Sequence, residues 1–271
     1  MKKIFLLFIS TFLTVEALAQ TKVCTFNIRF ENPRDGVHQW ENRKESVVQF
    51  LKLERPDVVG MQEVLHSQIM YFNTSLPNYQ KIGVGRDDGK KAGEYSPIYF
   101  NKDVYDLMDS GTFWLGENIN VPEKGWDAAL PRVCTWAKLK GKKSGESILF
   151  LNTHFDHVGK EARKKSVDLI LTQIEKLKTT NKVVLMGDFN LEPSTIPIQK
   201  IFQSTLNDAY EADINLGPVG TYNAFQIGKN YDRRIDYVFY EGFEVKSYHN
   251  YSMRIKDTFL SDHFPVLVEL E

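Results

Sequence analysis

The stretch ILFLNTHFDHVGKEARKKSVDLILTQIEKLKTTNKVVLMGDFN, residues 148–190, carries the pattern on which the fold turns. Its opening apolar run, with Ser147–Thr153, predicts a buried strand. Lys160–Lys178 then sets Val167, Ile170, Leu171, Ile174 and Leu177 on one face, the period of an amphipathic helix. Lys182–Gly187 is again a short apolar run, as expected of a strand covered on both faces. Strand, helix and strand in succession indicate an α/β architecture.

Working outward, the same alternation of apolar runs and helical spacing recurs. Thr21–Phe30 and Asp57–Val64 read as strands around a helix over Trp40–Glu54, whose apolar positions 40, 47, 48 and 51 are helically spaced and which Pro56 closes. His66–Ser75 and Thr195–Phe202 read as helices. Tyr79–Gly85, Tyr95–Phe100, Val104–Trp114, Val133–Leu139, Arg234–Tyr240, Phe243–Tyr248 and Phe264–Leu270 read as strands. Many strands with helices between them imply two sheets covered by helices, not one all-parallel sheet. Gly116–Pro131, rich in Gly, Pro and Asn, reads as a surface loop beside the site. No linker or repeat interrupts residues 20–271, which read as one domain.

The 271 residues include 34 Lys+Arg and 35 Asp+Glu, and 42% are hydrophobic. That balance excludes a disordered chain, and a net charge of −1 argues against binding nucleic acid by bulk electrostatics. Lys2 and Lys3, the apolar run Ile4–Val15 and the small-residue site Ala17-Leu18-Ala19 predict a secretory signal peptide over residues 1–19. The expected location is therefore periplasmic, cell-surface or extracellular, with no transmembrane segment. An exported context permits a Cys24–Cys134 disulfide, and two buried free thiols fit the apolar surroundings equally well.

Polar residues fall at the strand ends. Apolar runs terminate in Asn27, Glu63, His154 and Asp188, while Asp236 and the pair Asp262-His263 open later strands. If the later strands run antiparallel to the earlier ones, these positions meet at one rim. Singly each has an ordinary structural use, as a turn, cap or ion pair. Together they supply the inventory for metal-assisted hydrolysis.

TFNIR, MQEV, NTHFDH, GDFN, RIDYVF and SDHFP occur in this order between residues 25 and 265. The set resembles the endonuclease/exonuclease/phosphatase superfamily, which includes pancreatic-type deoxyribonuclease, abasic-site endonucleases, deadenylases such as nocturnin, inositol-polyphosphate 5-phosphatases and neutral sphingomyelinases. The resemblance implies a four-layer α/β sandwich with two central mixed or antiparallel sheets flanked by helices. It also implies hydrolysis of a phosphoester with a divalent metal, Mg²⁺ or Mn²⁺. Glu63 and the amide oxygen of Asn27 would hold the metal, with Asp262 as a third ligand; zinc would draw on more His or Cys.

By the same resemblance Asp188 orients or deprotonates the attacking water, and Asn190 holds a phosphoryl oxygen or that water. His263 pairs with Asp236 and is either base or phosphate clamp. His154 contacts the phosphate or protonates the leaving oxygen. Arg163, four and seven residues before Val167 and Ile170, is expected at the rim as a phosphate clamp or in an internal ion pair. Arg29, Arg43, Arg86 and Arg132 are weaker candidates for the same task. GTYNAF followed by RIDYVFY resembles the deadenylase branch most, which favours a nuclease acting on single strands. YDRRIDY lacks the Trp and Cys of the inositol-phosphatase branch. A phosphatase or phospholipase-type enzyme is the alternative, and a non-catalytic binding protein on the same scaffold is a remote one. No obligate protein partner is implied.

Overall fold

A computed structural model describes residues 20–271; the expected signal peptide, residues 1–19, lies outside the described residues. One sheet has seven strands in the order β10 (Ile214–Leu216), β12 (Val245–Asn250), β15 (Val266–Leu270), β1 (Thr21–Asn27), β2 (Val58–Gln62), β4 (Ile98–Asn101) and β3 (Tyr79–Ile82). The other has six, in the order β5 (Tyr105–Trp114), β6 (Val133–Gly141), β7 (Ser147–His154), β8 (Val183–Asp188), β11 (Asp236–Glu241) and β9 (Asn207–Asp208). A short hairpin joins β13 (Arg254–Ile255) to β14 (Thr258–Phe259).

The sheets face each other across a core that includes Val23, Val58, Phe100, Phe150, Val184, Met186, Val238 and Val268. Outside the first sheet, α1 (Trp40–Glu54) and α2 (His66–Ser75) cover Cys24, Phe26, Val59 and Met61. Outside the second, α3 (Lys160–Leu177) and α4 (Ile196–Phe202) cover Leu151, Leu185, Tyr237 and Phe239. The result is the expected four-layer α/β sandwich of two mixed sheets. Each central strand is apolar on both faces because each lies between a helix layer and the opposite sheet.

Register brings the strand ends together. The parallel pairs β1–β2 and β7–β8 set Asn27 beside Gln62 and His154 beside Asp188. Antiparallel β11 starts where β8 ends, so Asp236 faces Asp188. β15 runs antiparallel to β1, with Val266 beside Thr25, which carries Asp262 and His263 to the same rim. Several strands are a few residues shorter than their apolar runs. At β1 and β2 the cause is visible: Arg29 and Glu63 adopt φ near +60°, outside the extended region.

A buried polar tie crosses between the sheets under this rim. The Asn152 amide donates to the carbonyls of Met61 (2.7 Å) and Pro97 (2.8 Å), and its oxygen accepts from the Gln62 amide at 2.7 Å. Gly60 makes room for it, since a Cβ there would sit 2.7 Å from Asn152 Oδ1. Cys24 on β1 and Cys134 on β6 are buried free thiols, each on the helix-facing side of its own sheet. Two sheets separate them, so of the two readings left open the disulfide is the one the fold rejects. Asn152→Ala is expected to cost about 2–4 kcal/mol in urea unfolding, because it orphans two buried carbonyls and one amide; a loss under about 0.5 kcal/mol would show that the tie is dispensable.

Candidate active site

Glu63, His154, Asp188, Asn190, Asp262 and His263 line one hollow of about 570 Å³ at the rim. Asn27 and Asp236 lie just behind its wall. The amide nitrogen of Asn27 donates to Glu63 Oε1 at 3.1 Å and to Asp188 Oδ2 at 3.0 Å, linking a carboxylate from each sheet. Asn27 Oδ1 accepts from the Arg29 N–H at 3.1 Å. This corrects the expectation that the amide oxygen faces the metal position: with two carboxylate oxygens opposite, the donating end of the amide turns to them.

Asp236 accepts a 2.8 Å hydrogen bond from His263 Nδ1, and His263 Nε2 stands 3.7 Å from Asp188 Oδ2. Burial alone would lower the His263 pKa, but Asp236 and then Asp188 outweigh it and push it up to about 10. The ring is thus an imidazolium at neutral pH. Burial, then the charge of Asp236, raises the Asp188 carboxyl above the usual carboxylate range.

His154 is the opposite case. Burial, and then the positive charges of Arg132 and Arg86, drive its pKa well below the ordinary value, so the ring is neutral. The Asn190 side-chain nitrogen donates to the Phe155 carbonyl at 3.1 Å, which fixes the orientation of the amide. It also lies 3.1 Å from His154 Nε2, which therefore acts as acceptor. Asn190, Arg29 and Glu63 all have φ between 50° and 60°. Three side-chain-bearing residues in the left-handed region at one site mark stored backbone strain.

The acidic half of the hollow has more charge than it neutralises. Arg29 approaches Glu63 at 3.8 Å and Asp262 at 4.0 Å, yet its guanidinium is already committed to Asp35 by bonds of 3.0 and 3.1 Å. Burial, with Asp262 as a like charge, raises the Glu63 carboxyl to about 7. Two oxygen donors short of positive charge suit a hard divalent cation. Asp188, Asp236 and His263 also converge, with one ligand atom from each within 4.8 Å of the others. The His263–Asp236 hydrogen bond, and the positive charge His263 already places beside Asp188, make them the poorer cation cradle.

Two expected phosphate clamps are corrected. Arg163 lies outside the hollow and donates to the Asp156 carbonyl at 3.0 Å; Ala162 and Ser166 are buried at this end of α3 instead. Arg43 is fully buried and donates to the carbonyls of His38, Ile28, Leu260 and Arg29, so it ties loops together. Glu94, His157, Tyr222 and Arg233 line the hollow although sequence reasoning did not single them out. Tyr222 and Arg233 stand within the quoted GTYNAF and YDRRIDY segments, and Tyr222 packs edge-on against His263 at 5.0 Å.

A family model described as the Endonuclease/Exonuclease/phosphatase family matches residues 24–263. An endonuclease/exonuclease/phosphatase protein of Bacteroides vulgatus is 42% identical, with a TM-score of 0.90 over 93% of this chain and 99% of that one. The mannosyl-6-phosphatase of Bacteroides thetaiotaomicron is 37% identical, with a TM-score of 0.88 over the same shares of the two chains. A probable RNA exonuclease of Saccharomyces cerevisiae is 29% identical over 209 residues, 72% of this chain and 40% of that protein.

The elevated His263 pKa has a consequence for stability. The folded state keeps the ring proton that the unfolded chain releases near 6.5, so the stabilisation is complete below that pH and fades as pH rises toward about 10. The stability lead of the wild type over His263→Gln is expected to shrink across this window in thermal melts. A lead that does not change with pH would mean the folded ring is neutral.

Proposed function

Because the chain belongs to the Endonuclease/Exonuclease/phosphatase family of phosphoester hydrolases, we propose that it is a metal-dependent phosphatase of small phosphomonoesters, sugar phosphates foremost. The observation that carries this reading is the likeness, over nearly the whole of both chains, to a mannosyl-6-phosphatase. The hollow supports it, since 570 Å³ suits one small ligand rather than a length of polymer. Residues 1–19, read as an export signal, favour action outside the cytoplasm on material met there.

In this reading Glu63 and Asp262 would hold Mg²⁺ or Mn²⁺, and Asn27 would steady Glu63 through its amide nitrogen. The cation would supply neutralisation of charge on the phosphoryl oxygens. Asp188, its basicity raised by burial, orients and deprotonates the attacking water. His263 is the phosphate clamp, because Asp236 and Asp188 keep it cationic, and a cation cannot serve as base. His154 and the Phe155 carbonyl take both amide hydrogens of Asn190, which leaves its side-chain oxygen to accept from the attacking water.

Two features favour a second reading, a nuclease acting on single strands. The yeast exonuclease is one of the chain's relatives, and Phe30 and Tyr222 at the wall of the hollow offer faces on which a base can stack.

A panel of hexose 6-phosphates, aryl phosphates, aryl phosphodiesters, inositol phosphates, sphingomyelin and single-stranded RNA and DNA, run with Mg²⁺ and Mn²⁺, separates these readings. Sugar monoesters are expected to turn over fastest; faster cleavage of RNA or DNA would transfer the assignment to the nuclease. Asp188→Asn and His263→Ala should each lower the rate roughly 10²- to 10⁴-fold with the fold retained. Glu63→Gln should raise the metal concentration needed for half-maximal rate. Unchanged metal titration would remove Glu63 from the ligand set.

A further inference from the structure

Four arginines stand in or beside the hollow, and three are accounted for. Arg29 is spread over Asp35, Glu63 and Asp262. Arg86 makes a bidentate pair with Glu94, at 2.7 and 3.0 Å. Arg233 is half-exposed and lies over the Tyr222 ring. Arg132 differs. It lines the hollow, its side chain is only 5% exposed, and its Nε and Nη1 have no hydrogen-bond partner.

The nearest carboxylate does not satisfy it. Asp156 Oδ2 lies 3.5 Å from Arg132 Nε without a hydrogen bond, and the Asp156 oxygens already accept the N–H groups of Val158, Gly159 and Leu130. The remaining contact of Arg132 is His157 Nδ1, a neutral partner when it accepts, 3.1 Å from Nη2. A buried guanidinium whose ion-pair partner accepts from other groups keeps spare donors, which is costly unless a ligand supplies the acceptors. Its planar fork matches two oxygens of a phosphate.

We propose that Arg132 is the specificity-determining residue of the site: it receives non-bridging oxygens of a terminal phosphate and disfavours a diester, in which one of those oxygens carries a carbon substituent. This rests on the phosphomonoesterase reading above and deepens it. A diester leaves a donor of Arg132 buried and unpaired, and it brings one negative charge fewer to a guanidinium whose nearby carboxylates, Glu94 and Asp156, already accept hydrogen bonds from other groups.

The test compares wild type, Arg132→Gln and Arg132→Lys, each loaded with Mg²⁺ and checked for an unchanged circular-dichroism spectrum. Binding of inorganic phosphate is read by calorimetry, and an aryl monoester and an aryl diester are assayed side by side. Arg132→Gln is expected to weaken phosphate binding roughly 10- to 100-fold and to cut the monoester-to-diester ratio of kcat/KM by a similar factor. Arg132→Lys, which keeps the charge but not the fork, should recover part of both. Phosphate affinity within about twofold of wild type in Arg132→Gln, or an equal loss on both esters, overturns the assignment. Should Arg132→Gln misfold, the lysine variant decides: wild-type phosphate affinity and ester ratio in it overturn the assignment. If the wild type prefers diesters while Arg132→Gln still loses phosphate affinity, the phosphomonoesterase reading fails and the anion contact stands.

Discussion

The site depends on one side-chain amide. Asn27, at the end of a central strand, donates one hydrogen to Glu63 on its own sheet and the other to Asp188 on the facing sheet. A half-buried and a buried carboxylate are thereby held close to one neutral amide, an arrangement that costs free energy unless donors are fixed in place. The Asn152–Gln62 tie beneath fixes the distance between the sheets, and the left-handed residues Arg29, Glu63 and Asn190 turn the chain at the rim. A mismatch in sheet separation would be felt at once in the Asn27 bonds, so scaffold and site are mechanically one unit.

From that amide the charges separate across the hollow. Glu63 and Asp262 lie on one side with only a share of Arg29 to offset them, and Arg132 and the neutral His154 lie on the other. Between them His263 is kept cationic by two buried carboxylates. Phosphoester hydrolysis needs this polarity: cation-seeking oxygens for a metal, donors for phosphoryl oxygens, and a basic carboxylate at the water. The two histidines show how environment divides one residue type into two roles. His154 is neutral because burial, and then two arginines, disfavour its charged form; His263 is charged because two aspartates outweigh its burial.

The arginines show where pattern reading stops. Counting along α3 set Arg163 in line with the buried stripe, yet its guanidinium turns to the preceding loop and caps the Asp156 carbonyl. Arg43 has a similar helical position and spends its donors on four loop carbonyls. Arg132, a weak candidate by sequence, lines the hollow with two of its donors unpartnered. Whether a guanidinium binds substrate or backbone depends on which acceptors the fold brings near it, and local sequence does not record that.

Apolar strands ending in Asn27, Glu63, His154 and Asp188, and strands opening with Asp236 and Asp262-His263, are visible in the chain itself, because strand burial imposes a local pattern and its interruption is local too. The layered architecture followed from the alternation of short apolar runs with segments of 3.6-residue period. Even the antiparallel return of the last strands could be anticipated, since one rim is where such polar ends find partners. The short strands β9, β10, β13 and β14 could not, being two or three residues each with no period to detect. Nor could the amide orientation of Asn27, the separation of Cys24 from Cys134, the charge states of the two histidines, or the unpaired donors of Arg132. All of these depend on distances between residues far apart in sequence, and burial strengthens or weakens each interaction only once the layers have closed around it.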